Sequence, residues 1–106
     1  MNDIVTLLNA IIQAINTLLL NNTDPAVDAK LWKLRNVFTA LRDTAMGKIY
    51  DKTTGDYVAA QKGLTTAAKA ANDAIDGVNA VATAMQPLIT AAQAADKVIG
   101  LLNLVL

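Results

Sequence analysis

Apolar side chains recur at alternating intervals of three and four residues along most of this chain. The first such series is Ile4, Leu8, Ile11, Ile15 and Leu18. Because an α-helix completes a turn every 3.6 residues, this spacing gathers the apolar residues on one helical face. The pattern therefore predicts amphipathic helices rather than strands.

The same spacing resumes three more times, separated by residues that end or begin helices. Asn21 and Asn22 end the first series, and Asp24 followed by Pro25 supplies a side-chain cap and a proline at the first helical position. Gly47 offers an exit from the second series. We therefore expect helices over residues 3–20, 25–46, 57–85 and 87–105.

The third of these segments has the most regular apolar pattern, and Pro87 follows it at the predicted start of the fourth. Its apolar stripe continues without a polar interruption from Tyr57 to Met85, and a second stripe contains only small residues, among them Gly63 and Gly77. Close packing of a neighbouring helix would explain both glycines, since each is unfavourable inside a helix. Pro87 then either begins the fourth helix after a tight reversal, which we prefer, or kinks one continuous helix.

Residues 48–58 connect the second and third segments and allow two interpretations. Two short β-prone stretches flank a Thr-Thr-Gly sequence, which is typical of a β-hairpin. The alternative is a plain interhelical loop. In either case, the segment would project from the end of the bundle.

These segments together predict an all-α, antiparallel four-helix bundle in which residues 1–106 form a single domain. A chain of this length can bury a sufficient core without disulfides or metals. In the simplest up-and-down topology, the first and last helices are neighbours.

The composition excludes several kinds of chemistry. The chain contains no His and no Cys, and no Ser or Glu appears in its sequence. Thiolate and imidazole nucleophiles, structural zinc and His-ligated haem are thereby removed. We expect no enzymatic activity, no cofactor and no metal. Because nine basic residues balance nine acidic ones, we also expect no nucleic-acid binding.

The N-terminal sequence bears on the compartment. The first basic residue is Lys30, so the positively charged beginning of a secretory signal is missing. The expectation is a cytoplasmic protein, or one exported without a cleavable Sec signal.

Charge is distributed unevenly along the chain. No charged residue occurs between Ile4 and Thr23, and only Asp96 and Lys97 are charged after Gly77. Neighbouring terminal helices would present one uncharged surface, suited to a partner or to self-association. Its polar members would be Asn9, Gln13 and Asn16. The alternative is that these amides simply solvate the helix.

Aromatic residues mark two further candidate contact sites. Trp32 lies off the apolar stripe on the same line as Arg35, where it would either contact a partner or fold over the bundle edge with a cation–π contact to Arg35. Ile49, Tyr50 and Tyr57 would lie at the projecting tip, where they would bind a partner or form a local cluster.

The resulting prediction is a non-catalytic protein-binding module: an adaptor, a cognate inhibitor or immunity-type partner, or an assembly subunit. Its partner would be another protein or a second copy of itself, in a homo-oligomer. The alternative is a membrane-active or pore-forming helical bundle, because residues 4–20 approach the length and apolarity of a membrane span.

Overall fold

A computed structural model describes residues 3–100, and four α-helices account for most of this range. They are α1 (Asp3–Asn21), α2 (Pro25–Ala45), α3 (Gly55–Ile75) and α4 (Val81–Ile99). The described residues include no β-strand. The prediction of an all-α bundle is confirmed.

The first two helices begin at the predicted residues and end within one residue of the predicted ends. Asp24 caps α2, and its carboxylate accepts a hydrogen bond from the Ala26 amide at 2.9 Å. Pro25 occupies the first helical position, where its missing N–H costs nothing. Both features are local, so the sequence is sufficient to predict them.

Residues 46–54 form a loop between α2 and α3, so the plain-loop interpretation is correct. The β-hairpin alternative is wrong, because Tyr57 and Val58 belong to α3. Thr54 caps that helix by accepting a hydrogen bond from the Tyr57 amide at 3.2 Å. The cap starts α3 just where the second arm of a hairpin would have been.

The predicted helix over residues 57–85 is wrong in its C-terminal part, because α3 ends at Ile75. Gly77 adopts a left-handed conformation with φ of 77°. The amides of Gly77 and Val78 donate to the carbonyls of Ala74 and Asp73, at 3.2 and 2.9 Å. This is a Schellman motif, in which glycine after the cap satisfies the last carbonyls of a helix. The helix therefore ends near Gly77, and a short turn leads to α4.

Pro87 does not begin a helix after a reversal, so the preferred interpretation and the predicted start of the fourth helix at residue 87 are wrong. The alternative of one continuous helix from residue 57 to 105 is also wrong, because α3 ends at Ile75 and α4 begins at Val81. Pro87 lies inside α4, which is continuous from Val81 to Ile99. A proline there cannot donate to the carbonyl of Thr83, but Thr83 is exposed and water can replace the lost bond. The predicted continuation to residue 105 lies partly outside the described residues, since residues 101–106 are not described.

Packing between helices also differs from the simple up-and-down expectation. Helix α1 packs against α2 and α3, and α4 likewise packs against α2 and α3. Within residues 3–100, α1 and α4 are not one of the principal packed pairs. The predicted continuous surface across the first and last helices is therefore not formed as expected.

The core is divided into a large-residue half and an alanine half. Helices α1 and α2 contribute mainly Ile and Leu together with Phe38, whereas α3 and α4 contribute many alanines. The α3–α4 packing is the most extensive in the bundle. A Cβ placed on Gly63 would be 3.6 Å from the Ala91 Cα, so small residues do allow close approach here. Gly63 does face α4, but at this spacing an alanine would also fit, so close packing does not by itself require glycine there. Gly77 lies in the turn and does not pack against a neighbouring helix.

Candidate protein-binding site

An open groove runs between α2 and α4. Of the four principal helix packings, this one is the least extensive, which leaves a gap at the surface. The gap has a volume of about 460 Å³. Its lining residues are Lys30, Lys33, Leu34, Ala82, Met85, Gln86 and Ile89.

The groove combines an apolar floor with a cationic rim. Leu34 is buried at its base, while Met85 and Ile89 are partly exposed to solvent. Lys30 and Lys33 are exposed. Neither lysine forms an ion pair with an acidic side chain of the described residues, and no acidic residue lines the groove. The site is therefore suited to an amphipathic ligand.

Sequence reasoning missed this groove. Lys30 and Lys33 are separated by three residues on α2, and Met85 and Ile89 by four on α4, so each pair shares one helical face. The sequence alone shows this spacing. The sequence does not indicate that α2 lies beside α4, because helical spacing within one segment does not determine how the four helices are arranged.

The asparagines predicted to bind a partner instead make bonds within the bundle. Arg42 Nη1 donates to Asn9 Oδ1 at 3.1 Å, and Arg35 Nε donates to Asn16 Oδ1 at 2.6 Å. These contacts join α1 to α2. Gln13, between the two asparagines in sequence, is exposed and remains free to contact a partner.

Trp32 lies on α2 close to Arg35, and 49% of its surface is exposed. The Arg35 guanidinium carbon is 5.3 Å from its ring centroid, within the range of a cation–π interaction. The predicted contact with Arg35 is present. Because Arg35 also bonds Asn16, this arginine links the tryptophan to α1.

A second groove of about 540 Å³ lies between α1 and α2. It is lined by Val5, Thr6, Asn9, Arg42, Asp43 and Met46. Its cation is already engaged, since Arg42 Nη2 is 3.2 Å from Asp43 Oδ1. This groove therefore lacks the unpaired cationic rim of the first one.

The structure separates the three residues predicted at the tip. Ile49 is fully exposed, whereas Tyr57 is only 1% exposed and belongs to the core. The prediction that Tyr57 contacts a partner is wrong for this conformation, because the ring faces the bundle interior. Tyr50 is half-buried, and its ring centroid lies 6.3 Å from that of Tyr57. The two tyrosines form the local cluster that was the alternative interpretation.

Electrostatics at this end of the bundle follow from burial and local hydrogen bonds. Burial, and secondly the neighbouring Tyr57, raise the pKa of Tyr50 above its ordinary value. Hydrogen bonds from the Thr53 hydroxyl and amide lower the pKa of Asp51. The hydroxyls of Tyr50 and Tyr57 are both buried without a hydrogen-bond partner in the described structure.

No group of three or more metal-ligating side chains is found in the part of the chain that the structure describes. Helix α1 is long and apolar enough to cross a membrane, with a mean hydropathy of 1.6 over residues Ile4–Asn21. However, 39% of that segment is buried in the bundle, and core helices of soluble proteins share this character.

The chain matches no known protein-family model, no curated protein and no solved structure. The interpretation of function therefore depends on the surface chemistry described above.

Proposed function

We propose that this protein is a non-catalytic binding module that holds a helix of a partner protein in the groove between α2 and α4. The observation that carries the proposal is the partly exposed apolar surface of Met85 and Ile89 beside two unpaired lysines. Removing such apolar surface from water favours association. Adaptors, cognate inhibitors and assembly subunits are the classes that fit this role.

The scaffold we propose for this role is an antiparallel bundle in which consecutive helices alternate in direction. Two bonds support that arrangement for the first pair, because Asn9 meets Arg42 while Asn16 meets Arg35. Residues early in α1 thus contact residues late in α2. Firm pairing of α1 with α2 fixes one wall of the groove.

Affinity capture with matched variants tests the proposal. The full-length protein would be immobilised, exposed to lysate of its native host and analysed by mass spectrometry. Met85→Lys places a charge on the groove floor, and Met46→Lys makes the same change in the second groove. Circular dichroism would establish that both variants remain helical.

We expect a protein that is retained by the wild type and by Met46→Lys but lost with Met85→Lys. A partner that binds all three equally would place the binding surface elsewhere. If the wild type retains nothing beyond the blank resin, the protein-binding function is wrong.

Membrane activity is the second candidate, and the apolar character of α1 favours it. An interfacial helix inserts its apolar face into the bilayer, so α1 would have to leave the core. Flotation with anionic liposomes and release of an encapsulated dye, at neutral and acid pH, would test this. Neither lipid association nor dye release is expected if the groove carries the function.

A further inference from the structure

We infer that the α2–α4 groove selects an amphipathic helix whose apolar stripe is flanked by Asp or Glu side chains. This inference rests on the proposed binding function and specifies its partner. It follows from the dimensions of the groove, from its charge and from the character of its floor.

The dimensions fit a short stretch of helix. On α4 the lining residues extend from Ala82 to Ile89. At 1.5 Å per residue this is about 10 Å, or two helical turns. A partner helix would therefore place two or three apolar side chains in the groove, at positions i, i+4 and i+7.

The charge of the rim distinguishes acidic partners from basic ones. Lys30 and Lys33 are three residues apart, so their side chains are neighbours on one face of α2 and repel each other. Two cations of the described residues do have acidic partners: Arg42 pairs with Asp43, and Lys69 Nζ is 2.9 Å from Asp73 Oδ2. The two groove lysines have none among the described residues. A carboxylate on the partner would relieve the repulsion between them.

The floor can accommodate different apolar side chains. Met85 is unbranched and flexible, and methionine adapts to irregular surfaces better than branched residues do. Gln86, also exposed, offers an amide at the groove edge. Selection by this groove is therefore governed more by charge than by the shape of one apolar residue.

Two synthetic peptides test the inference. Both would be helix-stabilised 14-residue peptides with the same leucines at i, i+4 and i+7, flanked by Glu in one and by Lys in the other. The protein would carry ¹³C-labelled methionine methyl groups, so that Met85 reports on this groove and Met46 on the groove between α1 and α2. Chemical-shift titrations would give the location and the affinity of binding.

We expect the Glu peptide to shift the Met85 methyl signal and leave that of Met46 unchanged. It should bind at least tenfold more tightly than the Lys peptide, and more weakly as salt is added, because salt screens exposed charges. The double variant Lys30→Glu/Lys33→Glu should lose at least tenfold in affinity. Lys62→Glu, an exposed change on α3, is the matched control and should bind as the wild type does.

The outcomes separate this inference from the proposed function. If both peptides shift Met85 with equal affinity, charge selection is wrong while the groove remains a binding site. If neither peptide shifts the Met85 signal, or the Glu peptide shifts only that of Met46, the proposal that the α2–α4 groove is a binding site is wrong. Unchanged affinity in the double lysine variant would also overturn the role of the rim.

Discussion

Replacement of Gly63 by alanine tests the closeness of the α3–α4 contact directly. Gly63 lies inside α3, and an added Cβ would meet the Ala91 Cα at 3.6 Å and the Ala94 Cβ at 3.8 Å. Both are ordinary van der Waals distances. The methyl group therefore fits without displacing α4.

The expected change in the free energy of unfolding has two sources, helix propensity in the folded state and conformational entropy in the unfolded state. Alanine is about 1 kcal/mol more favourable than glycine inside a helix, partly because it restricts the unfolded state. We therefore expect Gly63→Ala to raise the free energy of unfolding by about 1 kcal/mol. For a domain of this size, that corresponds to an increase in Tm of about 4–8 °C.

Gly77→Ala is the matched control, because it makes the same chemical change at a position with φ of 77°. A side chain disfavours this conformation by about 1–2 kcal/mol, so Tm should fall. Both variants would be measured by thermal and urea unfolding followed by circular dichroism. If Gly63→Ala lowers stability, α3 and α4 approach more closely than the structure has them, and the reasoning is refuted.

Three further variants report on individual polar groups. Tyr57→Phe should increase stability by about 1 kcal/mol, because the hydroxyl is buried without a partner in the described structure; calorimetry showing a comparable decrease would contradict this. The raised pKa of Tyr50 means that the unfolded state ionises first, so the contribution of Tyr50 to stability should be complete below pH 10.0 and decrease above it. Urea unfolding from pH 9 to about 11 should show a smaller decline in Tyr50→Phe. Asn16→Ala removes the acceptor of Arg35 and should cost about 1 kcal/mol in urea unfolding, whereas the exposed Gln13→Ala should be neutral.

Local signals in the sequence were sufficient to predict the first half of the fold. The bounds of α1 and α2 depend on an apolar stripe and on Asp24 and Pro25, whose effects extend over a few residues. The contact of Arg35 with Trp32 was likewise predictable from helical spacing. In each case the relevant neighbours are close in sequence.

The turn between α3 and α4 was predicted at Pro87 rather than at Gly77, because the apolar pattern stays in phase across the actual turn. Val78 and Val81 continue the stripe of α3, although Val78 is exposed in the turn. Asp76 followed by Gly77 is the sequence signal for the end of α3, but the continuing apolar pattern gave no reason to end the helix there. Pro87 was a misleading one, since a helix tolerates proline where the freed carbonyl faces water.

The candidate site was not predictable for a different reason. Lys33 and Met85 are far apart in sequence, and they meet only because α2 packs beside α4. Several spatial arrangements of the four helices would bury the same apolar stripes, so the apolar periodicity alone does not select among them. Tyr57 is different, because its place on the apolar stripe of α3 already indicated the burial that the structure shows.

The loop over residues 46–54 joins one packed helix pair, α1 with α2, to the other, α3 with α4. Each pair is joined by a short turn of its own, and the two pairs pack against each other through α1–α3 and α2–α4 contacts. At the present length of the loop, both halves of one molecule reach each other. We expect a shortened loop to favour pairing of each half with the complementary half of another copy, which is domain exchange. The connection thus makes the difference between a self-contained bundle and an intertwined dimer.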